Sequence, residues 1–407
     1  MRSRAVTRIA ATGAAIALGC AGAIAPASAD VAGQSREAVI TQYQSVLLPA
    51  LRVANDWTGS VSGCNAGTTS AAYQDATLTA LNYVRGLVSQ PAVTFDPSLH
   101  ADAQAAALIM AAQDRLSHYP PASWACWTSG GSGSAGRSNL HLGRSGAFAI
   151  ISYMEDSGEN NLLAGHRRWL LDSRATAMAT GDTSKSNVIT VIGSPRRPSS
   201  GTWIPWPAPG FFPWQLEPKG RWSLGLPGAG FQAASVAVSV SGAPVAVAVT
   251  PTIDGYGDNT ISWDMSLPQP ARTDYPSDMN VDVTVSGIRL GDGSTVNHSY
   301  TVTLIDAAPH PTPSHAYFID VKRNARGLLA SWEAPVDDGG EAITYLVTAA
   351  PDGKAGRGLP TRTCTTSLTT CQLTQVSRKV GYTVTITVRN SVGISEPDTF
   401  TIRGPGR

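Results

Sequence analysis

The seven residues GHRRWLL, at positions 165–171, end the part of the sequence in which side chains suited to chemistry are concentrated. That part begins near His118 and contains the segment YMED at 153–156, which supplies Glu155 and Asp156. The second histidine, His166, lies within GHRRWLL itself. Two imidazoles and two carboxylates therefore lie within one short region, and we take this region as the candidate functional centre.

Helical patterns surround this centre. Apolar residues with helical spacing predict helices at 30–54, 71–88, 145–156 and 160–171. Asp96 and Pro97 predict the start of a further, buried helix that extends to about Leu116, because Asp96 can cap free amides and Pro97 loses nothing at the first helical position. A strand is predicted at 186–192. The first part of the chain is thus predicted to combine helices with a sheet.

The order of several motifs resembles a known family. They are LNYVR at 81–85, Leu99 with Ala103, His118, Asn139 with Leu140, an aromatic helix ending in acid, and GHRRWLL at 165–171. This order is similar to that of the CAP superfamily, which comprises the cysteine-rich secretory, antigen 5 and pathogenesis-related 1 proteins and their bacterial relatives. The similarity covers roughly residues 70–194. It implies an α-β-α sandwich whose central cleft holds two histidines and two acidic residues.

The resemblance also implies a set of cleft residues, namely His118, Ser138, Asn139, Glu155, Asp156 and His166. Asp156 matches the acid that precedes the second histidine, and Glu155 is the neighbour that could replace it. The family's Gly-Glu-Asn-Leu corresponds to RSNL at 137–140, so Ser138 stands at the position of the first acid. This departure from the family pattern weakens the case for catalysis.

The residue types favour a divalent cation, zinc in particular, as the cofactor. Two neutral imidazoles beside a carboxylate can hold zinc with one coordination position open, so we expect His118 and His166 to be the ligands. Asp156 would then fix the tautomer of a ligating histidine. The alternative is that both histidines are structural residues held by hydrogen bonds. For His100 and His141, which lie outside the family's positions, structural roles are expected.

From residue 194 the composition changes to proline, glycine and tryptophan. The aromatic segments WIPWP at 203–207 and FFPW at 211–214 are suited either to a sugar-binding surface or to the seam between two domains, and their place at the composition boundary favours the seam. The alternating runs that follow predict an all-β sandwich at 201–307. Arg167 and Arg168 are expected to form ion pairs on the helix surface or between domains rather than to recognise a substrate.

The C-terminal part, 315–407, resembles a fibronectin type III module and follows a proline-rich linker at 308–314. Trp332 is the expected inner tryptophan, Leu373 is the later buried leucine, and YTVTITV at 382–388 alternates as a half-buried strand does. The predicted fold class is multi-domain. A CAP-type α-β-α sandwich at 30–200 is followed by two all-β sandwich domains, of which the second is immunoglobulin-like.

Residues 1–29 have the parts of an export signal: a basic start, an apolar stretch and small residues before Asp30. The mature protein is therefore predicted to begin at Asp30 and to be secreted. Cys20 offers an alternative, attachment to a lipid anchor. No later stretch reaches the roughly 20 apolar residues that span a bilayer, so no transmembrane segment is predicted in the mature chain.

Cysteine usage agrees with export, because four cysteines remain after Cys20 and an even number outside the cell suggests disulfides. Proximity in the sequence favours Cys364 with Cys371, which leaves Cys64 with Cys126. Free thiols are the alternative. Charged residues make up only 14% of the chain and the formal net charge is +1, which argues against nucleic acid and other polyanions as partners.

The first functional hypothesis is a secreted binding protein whose cleft holds a divalent metal or a small or lipid-like ligand at the cell envelope. Its partners would be an envelope polysaccharide, lipid or protein. The second is an extracellular hydrolase acting on polysaccharide or cell wall, and the third is a non-catalytic adhesion protein. No Gly-x-Ser-x-Gly nucleophile elbow occurs, so whether the protein is an enzyme is left open at this point.

Overall fold

The computed structural model describes residues 33–268, 278–309, 312–335, 338, 342–353, 356–390 and 392–404. The predicted export signal, with Cys20, lies outside the described residues, as do His310 and Pro311 of the predicted linker. Within the described residues, none of the helices is both long enough and apolar enough to cross a membrane.

The N-terminal unit contains seven α-helices among its described residues. They are α1 (Arg36–Gln42), α2 (Leu48–Arg52), α3 (Ala71–Leu87), α4 (Pro97–Gln113), α5 (Ser129–Ala135), α6 (Gly146–Glu155) and α7 (Gly165–Leu170). A π-helical segment, Tyr43–Leu47, joins α1 to α2, and a 3₁₀ turn, Glu159–Asn161, lies between α6 and α7. The predicted start of α4 is confirmed, because Asp96 is its N-cap, accepts from the amide of Ser98 and precedes Pro97.

Four strands form the sheet of this unit: β1 (Thr94–Phe95), β2 (Ser138–Leu142), β3 (Ala177–Asp182) and β4 (Ser186–Thr190). Their spatial order is β1-β3-β4-β2, and only the β1–β3 pair is parallel. Leu140 and Val188 pack with the buried alanines of α4, whereas Met178 and Ile189 join the core that contains α3 and α6. The sheet thus has helices on both faces, and the predicted combination of helices and sheet is confirmed.

Helix α4 approaches the sheet very closely because its inner face is built from small residues. Ala103, Ala106 and Ala107 are fully buried. A side chain at Gly181 on β3 would collide with the main chain of Ala103, so only glycine permits this approach.

Two further sheets follow in the middle of the chain. Their strands are β5 (Ile204–Trp206), β6 (Gly210–Pro213), β7 (Arg221–Gly225), β8 (Ser235–Val240), β9 (Ala243–Val245), β10 (Val247–Val249), β11 (Thr260–Met265), β12 (Met279–Arg289) and β13 (Thr295–Ile305). A short 3₁₀ turn, Trp214–Leu216, follows β6. One sheet has the order β10-β11-β7-β5 and the other β6-β13-β12-β8-β9.

The middle β structure shares one hydrophobic core with the N-terminal unit. Buried residues of α3 and α6 belong to the same cluster as Trp222 and Trp263, which are both fully buried. Trp206 and Phe212 from the aromatic segments are also fully buried, and their rings meet edge to face at 5.1 Å. These two residues therefore pack in the core, which agrees with the seam alternative rather than with a sugar-binding surface.

Two buried arginines of the GHRRWLL motif join the two parts. Arg167 donates to the carbonyls of Met154 (2.7 Å) and Glu155 (3.0 Å) and to Oγ of Ser223 (3.0 Å) on β7. Arg168 donates to carbonyl oxygens of the middle part, at Ile253 (2.9 Å) and Asp258 (3.3 Å).

Ion pairs on the helix surface or between domains were expected for both arginines, but the hydrogen bonds of their side chains go to neutral acceptors rather than to carboxylates. Burial lowers the pKa of Arg167 to about 10, and the nearby Asp156 opposes that shift.

The C-terminal part is a separate β-sandwich. Its strands are β14 (Tyr317–Asn324), β15 (Gly327–Glu333), β16 (Thr344–Pro351), β17 (Arg362–Thr366), β18 (Thr370–Thr374), β19 (Tyr382–Arg389) and β20 (Asp398–Ile402). They form sheets of order β14-β15-β18 and β17-β16-β19-β20. Trp332 and Leu373 lie in its core as predicted, and this core is distinct from that of the preceding parts.

Both predicted disulfides are present. Cys64 is bonded to Cys126 across 62 residues of sequence, and Cys364 to Cys371 across 7. The first bridge belongs to the N-terminal unit, and the second connects β17 to β18 across the two sheets of the C-terminal sandwich.

The N-terminal and middle parts share one core and the C-terminal sandwich has its own, so we expect two cooperative unfolding transitions in calorimetry rather than three. Replacing Cys64 and Cys126 by serine should lower the midpoint of the larger transition only, at a cost of about 2–5 kcal/mol. The matched control, Cys364→Ser with Cys371→Ser, removes a bridge that closes a shorter loop, so it should lower only the smaller transition, and by less. A third independent transition would contradict the shared core.

Candidate functional site

A cavity of about 490 Å³ lies where α6, α7, β2 and the loop after α4 meet. Its lining residues include three histidines, two acids, two basic residues and several small polar side chains: Leu116, Ser117, His118, Leu140, His141, Leu142, Arg144, Ser152, Tyr153, Glu155, Asp156, Ser157, Asn160, Asn161, His166 and Lys219. Of the expected cleft residues, His118, Glu155, Asp156 and His166 therefore come together here.

Asp156 and His166 form a hydrogen-bonded pair. His166 Nδ1 lies 2.8 Å from Asp156 Oδ1, and Asp156 Oδ2 accepts from the amide of Arg167 at 3.2 Å. The Asp156 side chain is fully buried, and its backbone turns into the left-handed region (φ 50°), where it ends α6. Because a carboxylate accepts, Nδ1 of His166 carries the proton, and Nε2 of the neutral ring presents a lone pair.

His118 is oriented by a main-chain carbonyl. Its Nδ1 lies 2.9 Å from the carbonyl oxygen of Ala135 at the end of α5. A carbonyl can only accept, so Nδ1 of His118 is the donor and Nε2 of the neutral ring is left with a lone pair. The segment after His118 is fixed by Trp127 and Ser132, which both donate to the carbonyl of Pro120.

The middle part of the chain contributes one residue to the cavity. Lys219 precedes β7 and forms an ion pair with Glu155, the last residue of α6. The resemblance to the CAP family ends near residue 194, so nothing in the sequence linked Lys219 to the cleft. Glu155, predicted as an acid of the cleft, is thus paired with a lysine from the middle part of the chain.

Ser138 and Asn139 lie on β2 and are buried rather than among the lining residues. Ser138 donates its hydroxyl to the carbonyl of Ser134 at 2.6 Å. Asn139 Nδ2 donates to the carbonyl of His166 at 3.0 Å. Asn139 therefore holds the first turn of α7, and Ser138 ties β2 to α5.

His141, for which a structural role was expected, lines the cavity with the other two histidines. Its ring meets Tyr153 edge to face at 5.7 Å, and its buried Nδ1 has no hydrogen-bond partner among the described residues. Burial lowers the pKa of His141, and the neighbouring Arg144 and His166 lower it further. His100 packs edge to face against Phe95 at 5.6 Å, outside the cavity.

A buried polar network supports the cavity floor. The hydroxyl of Tyr153 donates to Asn187 Oδ1 (2.9 Å), and Asn187 Nδ2 donates to Asp182 Oδ1 (2.8 Å). Asp182 also accepts from the amide of Gly146 at the start of α6 (2.7 Å). Asp182 is fully buried, and burial raises its pKa. Because this network holds both ends of α6, it fixes the position of Tyr153 beside His166.

The ring nitrogens of His118 and His166 meet one requirement of a zinc site. His118 and His166 each have Nδ1 occupied by an acceptor, which is the arrangement that orients ligating imidazoles. Within the part of the chain that the structure describes, no group of three His, Cys, Asp or Glu side chains is placed to hold a metal ion. The described residues therefore form no closed structural zinc site, and His118 and His166 are the two side chains left as candidate ligands.

Two parts of the sequence match known families. Residues 78–192 match the family model described as the cysteine-rich secretory protein family, or CAP, and residues 311–402 match that of the fibronectin type III domain. Each match covers less than half of the chain.

Similar solved structures overlap this chain only in part. "Titin kinase and its flanking domains" is 18% identical and covers 22% of this chain and 16% of its own length, with a TM-score of 0.20. "Myokine structure" is 18% identical and covers 23% of this chain and 100% of its own length, with a TM-score of 0.20. "Crystal structure of domains A168-A170 from titin" is 10% identical and covers 56% of this chain and 82% of its own length, with a TM-score of 0.20. The chain thus spans well under two thirds of the first structure, and TM-scores this low add nothing to the fold or the function.

The buried environment of His141 predicts a pH dependence of stability. A histidine whose pKa is lower in the folded than in the unfolded chain binds fewer protons when folded, so the free energy of unfolding should fall as pH drops below 6.5. His141→Gln should remove part of this dependence in urea denaturation followed across that range. The remainder should persist, because burial also lowers the pKa of His100 and His298. An unchanged dependence in the variant would contradict the assignment.

Proposed function

We propose that this protein, which carries a CAP domain and a C-terminal fibronectin type III domain, binds a divalent metal ion such as zinc in its histidine cleft together with a small polar ligand. Both domains and the two disulfides are compatible with an extracellular protein. The observation that carries the proposal is that His118 and His166 line one cavity and each uses Nδ1 as a donor to a fixed acceptor.

The free Nε2 atoms of His118 and His166 would hold the metal. Zinc prefers neutral imidazole, and a site with few protein ligands keeps coordination positions for water or for atoms of a ligand. Asp156 would act through His166 rather than bind the metal, because both of its carboxylate oxygens accept hydrogen bonds from the protein. When bound, the metal would supply a Lewis acid for ligand oxygen atoms.

The lining of the cavity favours a polar ligand over an acyl chain. Apolar side chains are limited to Leu116, Leu140, Leu142 and the ring of Tyr153. The other lining residues are charged or carry hydroxyl, amide or imidazole groups. Small-molecule sites for apolar ligands are lined mainly by apolar side chains. Of the small or lipid-like ligands expected from the sequence, we therefore propose the small polar class.

Hydrolysis of an envelope polysaccharide is the second candidate function. The observation in its favour is the pair of Asp156 and His166, since a carboxylate that orients an imidazole is a common arrangement for a general base. Ser138, at the position of the family's first acid, is buried and donates to a carbonyl, and Glu155 is paired with Lys219. Among the described residues of the cleft, no acid is then left unpaired beside Asp156, so binding is the better supported function.

Zinc titration by calorimetry tests the proposal. The wild-type protein should bind one zinc ion, and His118→Ala and His166→Ala should each abolish binding, because one imidazole does not hold zinc tightly. Asp156→Asn should weaken binding by about 10- to 100-fold, since it disturbs only the orientation of His166. Binding should also weaken in acid, because protons compete for the imidazole lone pairs.

His100→Ala is the matched control, because His100 lies outside the cavity, and it should bind zinc as the wild type does. Circular dichroism should show that each variant is folded. Absence of binding heat for the folded wild type at neutral pH would leave His118 and His166 as structural residues. Complete loss of binding in Asp156→Asn would instead make Asp156 a direct ligand.

A further inference from the structure

One end of the C-terminal sandwich is formed by three loops. The turn after β14 at 324–327, the described residues 352–353 and 356–361 between β16 and β17, and the loop between β18 and β19 at 375–381 meet there. The strand pairing requires this, because Gly327 pairs with Thr374 and Pro351 pairs with Tyr382. β20 also ends there, since Ile402 pairs with Tyr382. We call this set of loops, with Arg403 and the adjoining strand residues Arg323 and Arg362, the distal end.

The distal end collects most of the basic residues of the domain. Its described basic residues are Arg323, Arg326, Arg357, Arg362, Arg378, Lys379 and Arg403. Asp352 is the one acidic residue among the described residues of these loops. At the opposite end the balance is reversed, because Glu333, Asp338, Glu396 and Asp398 lie there with Arg389.

Within the part of the chain that the structure describes, carboxylates do not neutralise the charges of the distal end. Among the described residues, none of these seven side chains forms an ion pair with a carboxylate. Arg323 donates to the carbonyls of Ser377 and Val380, and Arg378 donates to that of Ala325. These bonds hold the loops in place while the guanidinium charges are retained.

A groove runs across the same surface. It has a volume of about 410 Å³ and is lined by Arg323, Asn324, Ala325, Gly327, Val376 and Arg378. Arg326, Arg357 and Lys379, in the same three loops, are exposed. Fixed cationic groups in a groove, with further cations in the same loops, provide the potential that attracts an extended anion.

The distal end lies opposite to the end at which the chain enters the sandwich. The segment 312–316 enters the sandwich before β14, whose first residue, Tyr317, pairs with Glu333 at the opposite end. Thr312 also contacts Gly393 in the loop after β19, again at that opposite end. A large partner can therefore reach the distal end without meeting the linker.

We propose that the distal end of the fibronectin type III domain binds an anionic polysaccharide, whose repeated carboxylate, sulfate or phosphate groups would contact the basic side chains. A polymer suits this surface better than a single small anion because the cations are spread over three loops and Arg403. A polysaccharide also suits the disulfide-bonded, extracellular type of domain in which the surface is found. The inference is independent of the histidine cleft.

The test uses the full chain and heparin as the anionic polysaccharide, with neutral dextran as the uncharged comparison. Binding is measured by fluorescence anisotropy of labelled heparin over a range of salt concentrations. The wild-type protein should bind heparin and not dextran, and added salt should weaken the binding. The triple variant Arg326→Gln, Arg357→Gln, Lys379→Gln should bind about 10- to 100-fold more weakly, because each cation near an anionic surface contributes separately.

The matched control removes three exposed cations elsewhere: Arg52→Gln, Lys185→Gln and Arg389→Gln. It changes the net charge by the same amount and should bind heparin as the wild type does. Equal weakening in the two triple variants would overturn the proposal, because binding would then follow net charge alone. Absence of heparin binding by the wild type would also overturn it, as would binding to phosphatidylglycerol vesicles in its place. His118→Ala with His166→Ala should leave heparin binding unchanged.

Discussion

The cleft depends on the hydrogen bonds that the buried carboxylate of Asp156 accepts. Its side chain is fully buried, so the charge requires hydrogen bonds, and the protein supplies them from His166 and from the amide of Arg167. The carbonyl of the same residue accepts from Arg221 on β7 at 3.0 Å. One residue thus orients the imidazole, fixes the start of α7 and binds the middle part of the chain. The geometry of the cleft and the union of the two parts therefore depend on each other.

Features set by local sequence were predicted from it. Asp96 with Pro97 marked the start of α4. The resemblance to fibronectin type III modules, with Trp332 and Leu373 as inner residues, predicted the C-terminal sandwich, and the cysteine count with proximity in the sequence predicted both disulfides. Features that depend on the packing of distant segments were not predictable in this way. Lys219 reaches Glu155 only because two parts of the chain share a core, and His141 enters the cleft only because of where β2 lies in the sheet.

Ser138 stands where the resemblance to the CAP family places the first acid, so there is a carboxylate beside His166 but none at position 138. Near His166, the buried acid and its hydrogen bonds are retained, so this imidazole is held in one orientation. At Ser138, the hydroxyl is used to join β2 to α5 and carries no charge. His141, three residues further along the same strand, adds an imidazole with an unused nitrogen instead. Such a set of groups favours coordination and hydrogen bonding over reactions that need two acids.

Whole-chain composition concealed the charge distribution of the C-terminal sandwich. A formal net charge of +1 argued against polyanions, but strand pairing places the basic residues at one end of this domain and most acids at the other. Charge attracts a partner over about one Debye length, roughly 8–10 Å, so the local surface matters more than the sum. Because this domain has its own core and is joined through a short segment containing prolines, its distal end and the histidine cleft can act on different ligands of one surface. If the distal end were attached to such a surface, the effective concentration of the histidine cleft at that surface would rise. No contact between the two sites is required for this effect.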